Sequence, residues 1–261
     1  MLAQVGIGLQ FLMQKIKTKI SKASIYQFES FFHLNSINES FSSSYSDENQ
    51  LKVVANILKN NSIKAIDITH FNSPPSIIPS KYYDKSIKAK YLETNSKISR
   101  SIEEDTSIDK KITVIYSKNE NLSQILKNDE KKINHTNYFT KLYNYLIGQL
   151  HNSGGLSFFV SLSDISFEVV IFNNNKFVFF NSFDISDENE FLYYTFFVLK
   201  NYQRSIDSDK IIFLGKYERF KKFYDLASKY SKIEFIEDDI NFLISYESQS
   251  FLILNENNIR K

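Results

Sequence analysis

The chain has 261 residues, of which 42% are hydrophobic and 15% aromatic, enough apolar side chain for one large core or two smaller ones. Its 32 Lys+Arg against 30 Asp+Glu leave a net charge of +2, which excludes a generic polyanion binder and a disordered acidic chain. Cysteine is absent, so disulfides, thiolate zinc sites and thiol nucleophiles are excluded, and the 6 glycines leave few loops able to cradle phosphate.

Met1 to Met13 is apolar but does not read as a signal peptide. Lys15, Lys17 and Lys19 follow the apolar stretch instead of preceding it, and no small-x-small cleavage site is present. No segment reaches the roughly 18–20 apolar residues that span a bilayer. The longest, Ile165–Phe172 and Phe177–Phe183, are interrupted by Asn173-Asn174-Asn175. The expectation is a cytoplasmic protein without a membrane span.

Val5 to Ser36 is expected to hold three strands, turning near Gly6–Gly8 and near Lys17–Lys19. Ser46-Asp47-Glu48-Asn49 then opens a helix that runs through Asn60, and Ala65–Thr69 is a strand. Pro74, Pro75 and Pro79 predict an extended loop, and Tyr82–Leu92 a helix. Glu103-Glu104-Asp105, within Ser99–Ser107, reads as a solvated loop. Lys111–Tyr116 is a strand and Asn121–Leu126 a short helix. Asn137–Leu150 is an amphipathic helix with Phe139, Leu142, Tyr143, Leu146 and Leu150 on one side. Ser153-Gly154-Gly155 is the best boundary, dividing the chain into 1–152, with an insertion at 71–110, and 153–261.

The second half reads most clearly. Leu156–Leu162, Phe167–Phe172 and Lys176–Phe183 are strands, the last two joined by the Asn173-Asn174-Asn175 turn because Asn tolerates positive φ. Lys176–Phe183 is aromatic on both faces and is expected to be buried on both. Ser186 is the expected N-cap of a helix reaching about Tyr202, with Asp187, Glu188 and Glu190 in its first turn. Lys210–Leu214 is a strand, Tyr217–Tyr230 an amphipathic helix and Lys232–Glu237 a further strand. The order is β-β-β-α-β-α-β. The Ser-Asp-Glu-Asn of 46–49 recurs at 186–189, each time opening a helix that ends in Leu-Lys-Asn and leads to a strand. This shared context predicts an internal duplication and an α/β fold with some α+β character.

Phe179-Phe180-Asn181-Ser182-Phe183 followed by Glu188-Asn189-Glu190-Phe191-Leu192-Tyr193-Tyr194 resembles an uncharacterised bacterial family known only as domain of unknown function 3822. Ser76-Ile77-Ile78-Pro79 leading to Tyr91-Leu92-Glu93-Thr94-Asn95, Ile133-Asn134-His135, and Gln4-Val5-Gly6 resemble other parts of it. The resemblance implies an actin-like fold, akin to the sugar-kinase and Hsp70-type proteins and to ribonuclease H, built from two β-β-β-α-β-α-β halves. It is closest to the group's non-catalytic adaptors in secretion and pilus assembly.

An actin-like fold raises the possibility of ATP. Such a site needs a carboxylate and glycines at the turn between the first two strands of each half. The first half offers Gly6 and Gly8 without an acid. The second offers Asp164 without a glycine, and the expected adenosine turn carries only Gly215. Each element is half present, so no cofactor is expected and the nucleotide reading stands as the alternative. The histidines His33, His70, His135 and His151 show no metal spacing, so no metal is expected unless the fold assembles a site. Glu103-Glu104-Asp105 and Glu237-Asp238-Asp239 read as solvated turns in preference to acid/base pairs, and no Gly-x-Ser-x-Gly elbow exists. The basic helix with Lys216, Arg219, Lys221 and Lys222 could face RNA, but an ordinary solvated helix face explains it equally, and the charge balance argues against nucleic acid.

The helix at 187–202 is apolar almost all round, so its outer side needs a cover. Tyr193, Tyr194 and Phe197 are therefore the candidate contact residues, for a protein partner or a homo-oligomer, unless the other half of the chain covers them. The expectation is a non-catalytic adaptor.

Overall fold

The computed structural model describes residues 21–36, 39–71, 73–93, 101–127, 131–150, 155–162, 166–202, 210–214, 220–236, 243–246 and 249–252. The chain forms two compact units, Met1–Asn144 and Tyr145–Lys261.

The first unit begins with β1 (Ser21–Gln27), β2 (Phe31–Asn35) and β3 (Ser40–Ser44), followed by helix α1 (Glu48–Leu58) and β4 (Ile63–His70). Helix α1 starts where Asp47 accepts hydrogen bonds from the backbone N–H groups of Asn49 and Gln50 at 3.1 and 3.0 Å. Its apolar residues recur at helical spacing, so Leu51, Val54, Ile57 and Leu58 turn toward Ala23, Ile25, Phe32, Leu34, Ile66 and Ile68 of the sheet. Strand β8 (Lys132–Asn137) closes the sheet in the order β3-β2-β1-β4-β8. β1 pairs antiparallel with β2 and parallel with β4, and β4 is parallel to β8. Of the first three described strands, β1 and β2 lie within the expected Val5–Ser36 span and β3 lies beyond it. Residues 1–20, with the expected turns at Gly6–Gly8 and Lys17–Lys19, lie outside the described residues. Serine-rich β3 carries little strand propensity and is held instead by its ladder to β2, with His33 Nδ1 hydrogen-bonded to Ser42 at 2.9 Å.

Between β4 and β8 the chain builds a separate antiparallel sheet from β5 (Ser76–Pro79), β6 (Ile102–Thr106) and β7 (Ile112–Ser117), in the order β5-β7-β6. Pro79 closes edge strand β5, where a missing N–H costs least. The expected Tyr82–Leu92 helix is instead two 3-10 turns, Ser80–Tyr82 and Lys85–Ile87, and the short helix α2 (Lys90–Glu93). The short helix α3 (Ser123–Leu126) precedes β8, and α4 (Tyr138–Gln149) follows it.

The solvated loop expected at Ser99–Ser107 is a correction, because Glu103, Glu104 and Asp105 lie in strand β6. Each carboxylate has a partner. Glu103 meets Lys118 at 3.2 Å, Glu104 accepts from the Tyr83 hydroxyl and pairs with Lys85 at 3.0 Å, and Asp105 turns toward the start of α4.

The second unit repeats the pattern with β9 (Leu156–Leu162), β10 (Ser166–Asn173), β11 (Lys176–Asp184), α5 (Glu188–Asn201), β12 (Lys210–Leu214), α6 (Lys221–Ala227) and β13 (Lys232–Ile236). Its sheet runs β11-β10-β9-β12-β13, antiparallel across the first three strands and parallel from β9 to β13, as in the first unit. The two halves are therefore β-β-β-α-β-α-β repeats. A separate hairpin, β14 (Leu243–Tyr246) with β15 (Gln249–Leu252), follows.

Asn174 and Asn175 take φ of 49° and 59°, the left-handed geometry that a tight hairpin turn between β10 and β11 requires. Asp187, one residue after the expected cap Ser186, accepts from Asn189 and Glu190 N–H at 2.8 and 2.9 Å. Glu190 reaches back to the Ser186 N–H at 2.8 Å, so the two ends of the turn fasten each other. The core packs Phe158, Val160, Phe167, Val169 and Ile171 of the sheet against Phe191, Val198 and Leu199 of α5 and Tyr224 of α6. Full burial of a side chain of this size stabilises by about 1.5–3 kcal/mol. Strand β11 corrects another expectation. As the edge of the sheet it is only half-buried, because its neighbour β10 lies on one side.

Candidate functional site

Open α/β sheets take their ligands at the carboxyl ends of the parallel strands. In the first unit that edge is filled with aromatic rings. Phe28 follows β1, Phe31 opens β2, Phe71 follows β4 and Tyr138 follows β8. Phe31 stacks on Phe28 at 4.3 Å, Phe28 on Phe71 at 4.5 Å, and Phe71 on Tyr138 at 4.5 Å. The β1–β2 turn is closed by Phe28 N–H donating to Phe31 carbonyl at 2.9 Å and contains Glu29 and Ser30, without glycine. Gly6 and Gly8 are therefore not the turn between the first two described strands. They lie outside the described residues, as do Asp164 and Gly215.

The sheet face turned away from α1 is polar. Register aligns Ser24, Asp67 and Asn134 across β1, β4 and β8. Lys22 pairs with Asp67 at 3.1 Å, and the Asn134 amide donates to Asp67 at 2.6 Å. Burial pushes the Asp67 carboxyl up, but these donors outweigh it and hold the group below its ordinary value.

The fold also joins groups far apart in sequence. His70 Nε2 and His135 Nδ1 lie 3.0 Å apart, with the rings stacked at 5.2 Å. The Asn119 backbone N–H donates to His70 Nδ1 at 3.4 Å, which fixes the tautomer: His70 carries its proton on Nε2 and donates it to His135. Burial holds both rings below their ordinary value, His70 to about 3. A ring whose Nδ1 accepts and whose Nε2 donates has no lone pair left for a metal, and no cluster of three metal-ligating side chains occurs among the described residues. Sequence spacing missed this pair, because His70 and His135 meet only through the parallel pairing of β4 and β8.

Asp105 accepts from Asn137 N–H at 2.7 Å, Thr140 hydroxyl at 2.9 Å and Tyr116 hydroxyl at 3.3 Å, at the N-terminus of α4. Burial outweighs these bonds and pushes its carboxyl up to about 6.

In the second unit, α5 turns Phe191, Thr195, Val198 and Leu199 inward. Leu192, Tyr194, Phe196 and Tyr202 are half-buried against the same core, so the helix covers more of its own apolar surface than its composition implied. Tyr194 stacks on Phe183 at 5.1 Å and serves as a buttress. The outward residues that stay apolar are Tyr193, 65% exposed, and Phe197, 54% exposed, stacked on each other at 6.2 Å. Tyr230, after α6, is 54% exposed and meets Phe196 at 5.8 Å. Among the described residues, no helix is long and apolar enough to cross a membrane.

Among solved structures, the chain is similar to a Bacteroides thetaiotaomicron protein with an actin-like ATPase fold and unknown function, at 14% identity and a TM-score of 0.68, covering 85% of this chain and 92% of that one. It is also similar to the PilM-PilN type IV pilus biogenesis complex, at 10% identity and a TM-score of 0.51, covering 83% and 88%. These likenesses establish an actin-like fold. No curated protein matches the sequence. Residues 9–233 match the family described as "Protein of unknown function (DUF3822)", and with that span the chain belongs to this family.

Proposed function

We propose that the protein is a non-catalytic cytoplasmic adaptor of actin-like fold that docks a protein partner, or a second copy of itself, on the outer face of α5. The observation that carries this reading is the stacked and exposed Tyr193–Phe197 pair. Two large rings on the solvent side of a helix gain free energy when covered, and aromatic side chains dominate the centres of protein interfaces. The aromatic stack at the carboxyl edge of the first sheet supports the absence of a cofactor, since it occupies the space where a ligand would approach the strand ends. A fold neighbour that functions in the PilM-PilN complex offers a parallel for an adaptor role.

The test compares wild type with Tyr193→Lys/Phe197→Lys, by mass at two concentrations and by affinity capture from the cells that make the protein. The expected result is loss of self-association or of a captured partner, with the melting temperature little changed. Unchanged mass and unchanged capture would overturn the reading.

A further inference from the structure

We propose that His70 and His135 form an acid-sensitive latch that seats the inserted β5-β7-β6 sheet on the main sheet of the first unit, and that a second proton on either ring releases it. The direction of the hydrogen bonds sets how the pair responds to a proton. Asn119 N–H donates to His70 Nδ1, and His70 Nε2–H donates to His135 Nδ1. This chain runs one way and has no room for an added proton. A proton on His135 Nδ1 would face the His70 Nε2–H. Moving the His70 proton to Nδ1 would make it face the Asn119 N–H instead. Every singly charged arrangement therefore sets one donor against another.

The latch joins the two sheets because its parts come from both. His70 belongs to β4 and His135 to β8 of the main sheet. The insert supplies Asn119 and Tyr116, whose ring lies 5.6 Å from that of His70. Asn119 also donates from its side chain to the Phe28 carbonyl at 3.1 Å, a carbonyl that the Tyr45 hydroxyl shares at 3.0 Å. The charged groups acting on the pair are Lys118, which follows β7, and Glu103 on β6. They pair with each other at 3.2 Å, so the Glu103 carboxylate is already engaged and the Lys118 ammonium adds to the cost of an imidazolium. Asp105 lies beyond Tyr116 and accepts its hydroxyl. Burial acts in the same direction, since His70 is fully enclosed.

The sign is fixed by linkage. A histidine held below its ordinary value in the closed state stabilises closure at neutral pH, and this stabilisation is lost progressively as pH falls below about 6.5 toward about 3. With His70 at about 3 closed and 6.5 open, the opening equilibrium rises roughly 25-fold between pH 7 and pH 5. The test is amide hydrogen exchange on the full chain at both pH values, corrected for the intrinsic exchange rate. Between pH 7 and pH 5, β7 protection in wild type is expected to fall by about that factor relative to His70→Gln/His135→Asn, in which the titrations of Asp105 and Glu168 are retained. His70→Gln/His135→Asn cannot take the proton, so the pH response of its β7 protection reports the carboxylates alone. An equal pH response of β7 in both proteins would overturn the proposal. Should the double variant not fold, imidazole ¹⁵N shifts of wild type give the second reading. Titration of either ring with β7 protection unchanged overturns the latch, and titration accompanied by β7 opening supports it.

Discussion

Two carboxylates show how placement decides what a residue contributes. Asp105 stands among neighbouring acids that the sequence presents as a solvated turn, yet it fastens β6 to the start of α4 through donors more than 30 residues away. Asp105→Ala leaves the Asn137 N–H and Thr140 hydroxyl without their acceptor and is expected to cost about 2–3 kcal/mol, read from the urea midpoint. Glu168 lies on β10 between Ser161 and Ser182 in the register, on the face opposite the α5 core. Burial pushes its carboxyl up to about 7, and no cation is paired with it among the described residues. A folded-state value above the ordinary 4.5 means that ionisation opposes folding. The penalty is absent below about pH 4.5 and grows as pH rises through about 7. Glu168→Gln is therefore expected to stabilise the protein at pH 8, on the order of 2 kcal/mol, and to change little at pH 4. Melting curves at the two pH values check this, and equal effects at both would contradict it.

At the scale of single elements, the repeated Ser-Asp-Glu-Asn is a working device in both halves. Asp47 and Asp187 each accept two backbone N–H groups at the first turn of α1 and α5. Asp47→Ala and Asp187→Ala are each expected to cost about 1 kcal/mol. Because α5 has the additional Glu190–Ser186 bond, Asp187→Ala is expected to be the milder of the two, in denaturant titrations of the single variants. The helix starts and the Asn174-Asn175 turn were legible because their chemistry is local: a side chain and the backbone it serves lie within a few residues. Helix α6 is shorter in the described residues than its amphipathic pattern suggested, since Lys221–Ala227 is the described helix and 215–219 lie outside them. Strand β3 escaped notice for the opposite reason. Its serines carry no pattern, and only the partner strand makes it a strand.

For the molecule as a whole, the aromatic stack at the carboxyl edge of the first sheet and the absence of glycine from the β1–β2 turn predict that millimolar Mg-ATP leaves the melting temperature unchanged. A ligand at about 100 times its dissociation constant would add roughly 2.7 kcal/mol, a shift of several degrees for a chain this size. A shift of that size, with MgCl2 alone inactive, would replace the adaptor reading with a nucleotide-binding one. The sequence by itself determined the β-β-β-α-β-α-β order of the second half, its repetition and the starts of the two helices, though the cap of α5 is Asp187 and not the expected Ser186. These follow from hydrophobic period and from hydrogen bonds between near neighbours, which are written in consecutive residues. The tertiary structure alone decided that Phe28, Phe31, Phe71 and Tyr138 form one stack, that His70 meets His135, that Glu103–Asp105 is a strand, and that Tyr194 turns toward the core while Tyr193 and Phe197 face out. Each of these depends on strand register and on which face of a sheet or helix is covered, and the parallel crossovers that set them bring together residues up to 110 positions apart.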